Sequence, residues 1–379
     1  MKSLKVFNGI SARLLLIAVF ILPLAAGFTS PVAAASDHSV GAVYTLTNDA
    51  SGNAVLVYDR SAKGSLAFKG SYATGGLGSG AGLGSQGAVI LGRNNRWLFA
   101  VNAGSNQISV FAVKKNGLKL VDAVDSGGLL PISLTTHDEL LYVLNAGGSG
   151  NISGFRISER GRLSPIPDST QPLSNNGVGD APGPAQISFG SDGSTLVVTE
   201  KATNLIDTYK VKDDAANAPT VNPSSGATPF GFAFDRKDHL IVSEAFGGAP
   251  GLSALSSYKV HEDKFKVISP SVGTTQTAAC WVVISNNGRF AYTTNTGSGS
   301  ISSYRIGKNG SLTLLNPTAG LTGDGSSPID MALSNNGQYL YALAAGAHTI
   351  NVFRMGEDGS LTSTGSVSVP AGVVGLAAQ

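Results

Sequence analysis

The chain is poor in the groups on which most protein chemistry depends. Cys280 is the sole cysteine of 379 residues, so an intrachain disulfide is excluded, and a lone cysteine is far more often a small buried apolar residue than a nucleophile. Charged residues are 13% of the chain, too few to clothe many solvated helix faces. The histidines and the cysteine show no zinc spacing, no serine sits in a G-x-S-x-G elbow, and no GKS or GKT loop is present to cradle a phosphate. The segments "GDAPGP" at Gly179 and "GDGSSP" at Gly323 offer one acid each, too few oxygens for a calcium site. No cofactor and no metal is expected.

What the chain does have begins with a leader. Lys2, Lys5 and Arg13 precede the apolar run "LLLIAVFILPLAA" (14–26), and small residues follow at "VAAAS" (32–36). A basic region, an apolar region and an A-x-A site in that order form a secretory signal, residues 1–35, cut after Ala35. The rival, a retained anchor, is opposed by Pro23, which interrupts a run already short of the roughly 20 apolar residues a span needs. Cleavage removes three positive charges and leaves 23 Lys and Arg against 24 Asp and Glu. A near-neutral mature chain has no basic surface for nucleic acid or an anionic membrane. A monomeric protein of one domain, residues 36–379, is expected in the periplasm or outside the cell, with no membrane span.

Glycine is abundant, 49 residues, and it punctuates a repeat. "WLFAVNAGSNQISVFAV" (97–113) returns as "LYVLNAGGSGNISGFRI" (141–157), "AYTTNTGSGSISSYRI" (291–306) and "LYALAAGAHTINVFRM" (340–355). Each holds two alternating apolar runs around Gly, Asn and Ser, the pattern of a β-hairpin. An aromatic residue late in the second run, Tyr58, Phe111, Phe155, Tyr209, Tyr258, Tyr304 and Phe353, marks seven repeats at intervals of 44 to 54 residues. An apolar segment precedes each hairpin from the second repeat on, as at Pro131, Pro184, Pro229 and Pro328, and a Gly-Ser-Leu or Gly-Arg-Leu turn follows, as at Gly161, Gly310 and Gly359. Four antiparallel strands at this period describe a propeller blade. The first repeat lacks the leading segment, and the tail "PAGVVGLAA" (370–378) reads as the missing inner strand. The expected fold is therefore an all-β, seven-bladed propeller closed by its C-terminal strand.

The repeated "LYV-N" hairpins, the Asn-rich turns at Asn287 and Asn336 and the Gly-Ser-Leu turns resemble the lactonase family of seven-bladed β-propellers, over residues 40–378. That family includes bacterial 6-phosphogluconolactonase and fungal carboxymuconate lactonizing enzyme. The hairpins also resemble the YVTN repeats of bacterial surface and binding proteins, and a shared blade does not settle a function. Lactonases of this kind tend to carry Pro-Arg-His at the start of an inner strand and Glu at the end of the strand beside it. Here the chain has Pro184-Ala185-Gln186 and then Glu200. The Glu matches; the Arg and His do not, and with them goes the planar donor fork for an anionic substrate.

In such a blade the first strand starts and the second strand ends on one face of the disc. Second-strand ends in register are Asn48, Asn102, Asn145, Glu200, Glu244, Asn295 and Ala344, and first-strand starts add Gln86, Gln186, Cys280, Trp281 and Asp330. His348 falls in a turn on the same face, where Asn106 and Asn204 sit in theirs, whereas His137 and His239 fall in the opposite turns as bystanders. The run "GGLGSGAGLGSQG" (75–87) reads as a blade-to-blade loop placed to lie over the mouth. Asparagine at these places serves turns readily, but Glu is a poor turn former. The expected site is accordingly a polar mouth with Glu200 and Glu244 as catalytic acids that repel one another, and Asn102, Asn145, Gln186, Trp281, Asn295, Asp330 and His348 as substrate-binding residues. The expected function is lactonase-like hydrolysis of a neutral lactone or ring ester, which the paired carboxylates favour, and the alternative is binding of a small ligand, a glycan or a protein without chemistry.

The leader yields the first prediction. Protein recovered from the envelope or medium should begin at Ser36 or within a few residues of it; an intact mass that retains Met1 would contradict the signal assignment.

Overall fold

A computed structural model describes residues 39–92, 94–261 and 264–379. The leader lies outside the described residues. Residues 38–379 form one compact unit, and the only helical turn among the described residues is the 3-10 turn Phe246–Gly248.

The strands assemble into seven antiparallel sheets. Blade 2 shows the plan, running outward from the axis as Val89–Gly92, Trp97–Asn102, Gln107–Lys114 and Gly117–Asp125. The inner strands of blades 3 to 7 are Pro131–His137, Pro184–Phe189, Pro229–Phe234, Ala279–Ile284 and Pro328–Leu333. Blade 1 takes its inner strand from the C-terminus: Val374–Ala378 pairs antiparallel with Gly41–Leu46, with Tyr44 opposite Ala377. Blades 3 and 4 have broken outer strands, and otherwise each repeat gives four strands as the sequence pattern requires.

Burial falls from the axis outward and explains the composition of each strand. Second strands such as Trp97–Asn102 and Tyr339–Ala344 are buried at every position because a neighbouring blade covers each face. The outermost strand of blade 7, Leu361–Ser368, is mostly exposed. The aromatic residues that mark the repeat are all buried in clusters shared between adjacent blades.

Two devices lock each blade to the next. Where a second strand begins with a ring, the glycine in the outer turn of the following blade lies flat on it: Gly161 on Trp97, Gly310 on His239, Gly359 on Phe290 and Gly64 on Tyr339. A Cβ at Gly359 would stand 2.6 Å from the Phe290 ring, and its φ of +88° is left-handed. Tyrosine hydroxyls stitch seams as well. Tyr292 and Tyr341 donate forward to the Gly359 and Gly64 carbonyls, and Tyr209 and Tyr304 donate back to Pro172 and Val272 on the preceding blade.

Closure generates the second prediction. Deleting Pro370–Gln379 uncovers the edge of Gly41–Leu46 and removes the buried side chains Val373, Val374, Leu376 and Ala377. A loss on the order of 5 kcal/mol follows from that apolar area, read as earlier melting with aggregation; a truncated chain that melts with the parent would place the closure elsewhere.

Candidate functional site

The register sets the expected residues on one face. Pro131 pairs with Asn145, Pro184 with Glu200, Pro229 with Glu244, Ala279 with Asn295 and Pro328 with Ala344. First strands start and second strands end together there, as the sequence reading requires. Asn106, Asn204 and His348 share a left-handed φ between 53° and 59° in the turns of this face, and His348 is exposed.

The side chains, however, do not line an open mouth. Glu200, Glu244, Asn102, Asn145 and Asn295 have no exposed surface. Each points into its own blade. Those of blades 2 to 5 lie beneath the connection that arrives from the preceding blade. Glu244 accepts the Gly226 N–H of that connection at 2.8 Å, the Ser256 hydroxyl at 2.5 Å and the Ser271 hydroxyl at 2.7 Å. Glu200 accepts the Ser174 N–H at 3.0 Å, the Ser174 hydroxyl at 2.5 Å and the Thr203 hydroxyl at 2.6 Å. Asn102 bonds Asn53 and Ser109, Asn145 bonds Asn151 and the Ser126 carbonyl, and Asn295 bonds Ser300 and Ser302. These positions are pegs on which the connections hang. Each carboxylate is enclosed by donors of its own blade and of the connection above it.

The inner-strand residues are consumed in a second way. Gln186 donates to the Phe232 carbonyl and accepts the Phe232 N–H, at 3.0 and 2.7 Å, which ties blade 4 to blade 5. Asp330 accepts the N–H groups of Met331 and Leu376, at 2.8 and 3.0 Å, which ties blade 7 to blade 1. Burial pushes the Asp330 carboxyl well above the usual carboxylate range. Trp281 is buried against Phe230, with ring centroids 4.9 Å apart, and its Nε1 donates to the Ser85 carbonyl. Cys280 is buried, and burial pushes its thiol up to about 11, away from any nucleophilic role at neutral pH.

The glycine-rich loop crosses the axis. Gln86 donates to and accepts from Val282 of blade 6, its N–H reaches the Ala185 carbonyl of blade 4, and its carbonyl accepts the Ser133 hydroxyl of blade 3. Gln86 also lines two cavities beyond this plug, of about 430 and 520 Å³, both bordered by Ser188 and Leu333. Lys201, which directly follows Glu200, pins the loop by donating to the Gly84 and Pro184 carbonyls, 4.7 Å from the Phe230 ring centroid. Burial pulls its amine down to about 8. On the opposite face His239 pairs with Asp235 at 2.7 Å within the inner turn of blade 5, and His137 lies beside Asp138 and Phe189. Among the described residues no three His, Cys, Asp or Glu side chains come together to hold a metal ion.

Charge is distributed unevenly between the faces. On the loops of the plugged face the charged residues are Asp49, Asp180, Lys201 and Asp324, and Leu77, Leu129, Val178 and Leu252 are exposed there. On the other face nearly every turn carries acids and bases, from Lys63 and Arg96 to Glu357 and Asp358.

One functional group escaped the sequence reading. Asp207, on the third strand of blade 4 (Leu205–Lys212), is fully buried beside Glu200. Burial, and then its contact with Glu200, push its carboxyl up to about 8. The signal was available: Ser109, Ser153, Ser256 and Ser302 hold the corresponding place in other blades.

The peg role generates the third prediction. Glu244→Ala leaves two buried hydroxyls and an N–H without their acceptor, a loss of about 3 kcal/mol. Urea unfolding measures it, and an unchanged midpoint would return Glu244 to the list of dispensable, ligand-facing groups.

Comparison with known proteins agrees with this architecture. No curated protein sequence matches the chain. Among solved structures, a candidate 6-phosphogluconolactonase from Bacteroides fragilis superimposes with a TM-score of 0.68 at 18% identity, over 91% of this chain and 99% of that one. The periplasmic gluconolactonase of Pseudomonas aeruginosa gives 0.66 at 16% identity, over 89% and 99%. A Lactobacillus plantarum protein gives 0.70 at 16%, over 89% and 99%. At such identities the likeness is one of fold. The sequence profile described as "Lactonase, 7-bladed beta-propeller" matches residues 39–174 and 251–375. Its gap contains Ala185, Gln186, Glu200, Asp207 and Glu244, so the match rests on the blades around the peg acids and not on those acids themselves. With more than half of the chain matched, this protein belongs to the lactonase family of seven-bladed β-propellers.

Proposed function

We propose that this chain is an exported lactonase-family propeller that serves at the cell envelope as a binding scaffold and does not hydrolyse a lactone at the plugged mouth. The observation that carries the reading is the burial of Glu200 and Glu244: neither has exposed surface, and each already accepts three hydrogen bonds. A general base must reach the water it activates. Ala185 and Gln186 stand where the family resemblance calls for Arg and His, Gln186 is committed to Phe232, and Gln86 fills the axis.

The plugged face supports the binding role. Its few charges would leave a charged ligand without counter-ions, whereas Leu77, Leu129, Val178 and Leu252 offer apolar contact. The partner that suits it is an uncharged, aliphatic protein surface.

A hydrolytic reading is favoured by one observation, the acid pair Glu200 and Asp207, which would supply an acid and a base if the connection above it swung away.

The test is a panel of neutral sugar and aliphatic lactones offered to the mature protein, with ring opening followed by pH-stat. Rates equal to those without protein are expected. Turnover that Glu200→Gln abolishes without lowering the melting temperature would overturn the scaffold reading in favour of the hydrolase.

A further inference from the structure

In three blades the peg follows a rule that blade 4 breaks. A residue at the end of the second strand meets the residue diagonal to it on the third strand, on the same face of the sheet. In blades 2, 5 and 6 these pairs are Asn102 with Ser109, Glu244 with Ser256 and Asn295 with Ser302, hydrogen bonded at 2.7, 2.5 and 2.9 Å. In blade 4 the pair is Glu200 with Asp207, in the same register: Val198 lies opposite Asp207, and Glu200 opposite Leu205.

Ser256 gives Glu244 a hydroxyl hydrogen. Asp207 can give Glu200 a hydrogen only as a carboxylic acid. Both acids are fully buried, and no cation is paired with either among the described residues. The groups that face them are Ser174 from the connection, Thr203 from the hairpin turn and Tyr209 from the third strand. Glu200 already takes three hydrogen bonds from Ser174 and Thr203. Asp207 Oδ1 meets no donor, and Oδ2 meets only the Tyr209 hydroxyl at 3.4 Å. A proton held between the acids, resident on Asp207, completes the pair.

We propose that Glu200 and Asp207 form a single-proton latch that fastens the connection 173–183 over blade 4 and releases it when the proton leaves. Ser174 hangs from Glu200 by two bonds, so two buried charges at the peg push directly on the connection. Beyond Ser174 the connection is lightly held. Val178 is 76% exposed, Asn176, Gly177 and Gly179 are left-handed, and between Ser174 and Ala181 the ties to the rest of the fold run from Asn175 Nδ2 to the Ser149 carbonyl and from the Ala181 N–H to the Gly148 carbonyl, before the Pro182 and Gly183 carbonyls accept the Ala202 and Lys201 N–H groups.

The folded state holds this proton more tightly than the unfolded chain, where an aspartate titrates near ~4. The latch therefore contributes its full stability below that value and loses it progressively as pH rises to about 8. Across the window the unfolding constant should rise about tenfold per pH unit for the one proton taken up on folding.

The experiment compares the full mature protein with Asp207→Ser, which installs the residue of blades 2, 3, 5 and 6. Urea unfolding and amide exchange at Ser174 are followed from pH 6 to pH 9. In the parent, stability and Ser174 protection should fall with pH up to about 8; in D207S the one-proton component should be gone. If D207S does not fold, Asp207→Asn, which donates from its amide at every pH, carries the same expectation. Identical pH dependence in parent and variant would overturn the latch. So would a rise in parent stability on added Ca²⁺ that the variant lacks, because the pair would then hold a cation and not a proton. Lactone turnover enters neither readout, so failure of the latch leaves the scaffold reading standing, and the reverse.

Discussion

Seven sheet edges meet at the axis of this molecule, and none has a strand to pair with. Each inner strand is hydrogen bonded on its outer side only, so its remaining N–H and C=O groups point at its neighbours and at the channel. Unpaired backbone groups out of water cost as much as lost hydrogen bonds. The ring answers with side chains. Ser133 and Thr135 accept the Ile187 and Phe189 N–H groups, Gln186 takes both groups of Phe232, Asp330 takes Leu376, and Gln86 reaches across to Val282. The polar residues of the inner strands are thus spent on the scaffold, and the mouth is sealed as a by-product.

That constraint explains what could and could not be read from the chain. The blade, the count of seven and the closing strand are local patterns: alternation within hairpins, aromatic residues at one phase, and a tail resembling the segment missing from the first repeat. Register followed too, which is why Glu200 and Glu244 fell on the predicted face. Direction did not follow. A residue at a strand end can turn toward the axis or into its own blade, and the choice is made by a connection that arrives from the preceding blade, as Ser174 and Gly226 do. Asp207 stands outside the column of strand ends that the repeat makes conspicuous; its own column, on the third strand, holds serine in four blades and an acid in one.

The Gly-Ser-Leu turns acquire a physical meaning from the same geometry. Gly64, Gly161, Gly310 and Gly359 combine a left-handed φ with a ring pressed against the Cα. Blades 3 and 4 begin their second strands with Leu140 and Thr195 and have no ring to cover. The outer turn of blade 4 accordingly carries Asp213 and Asp214 where other blades place the glycine. His239, which the sequence alone presents as a histidine in search of a role, is one of these seats.

The strand that shuts the ring is also made after every other strand of the propeller. Val374–Ala378 supplies the inner edge of a blade whose other strands lie within the first described residues, Gly41 to Ala73. Blade 1 therefore stays one strand short until that strand is made, and blade 7 packs until then against an incomplete neighbour. An incomplete ring emerging from the ribosome cannot trap itself in the native state.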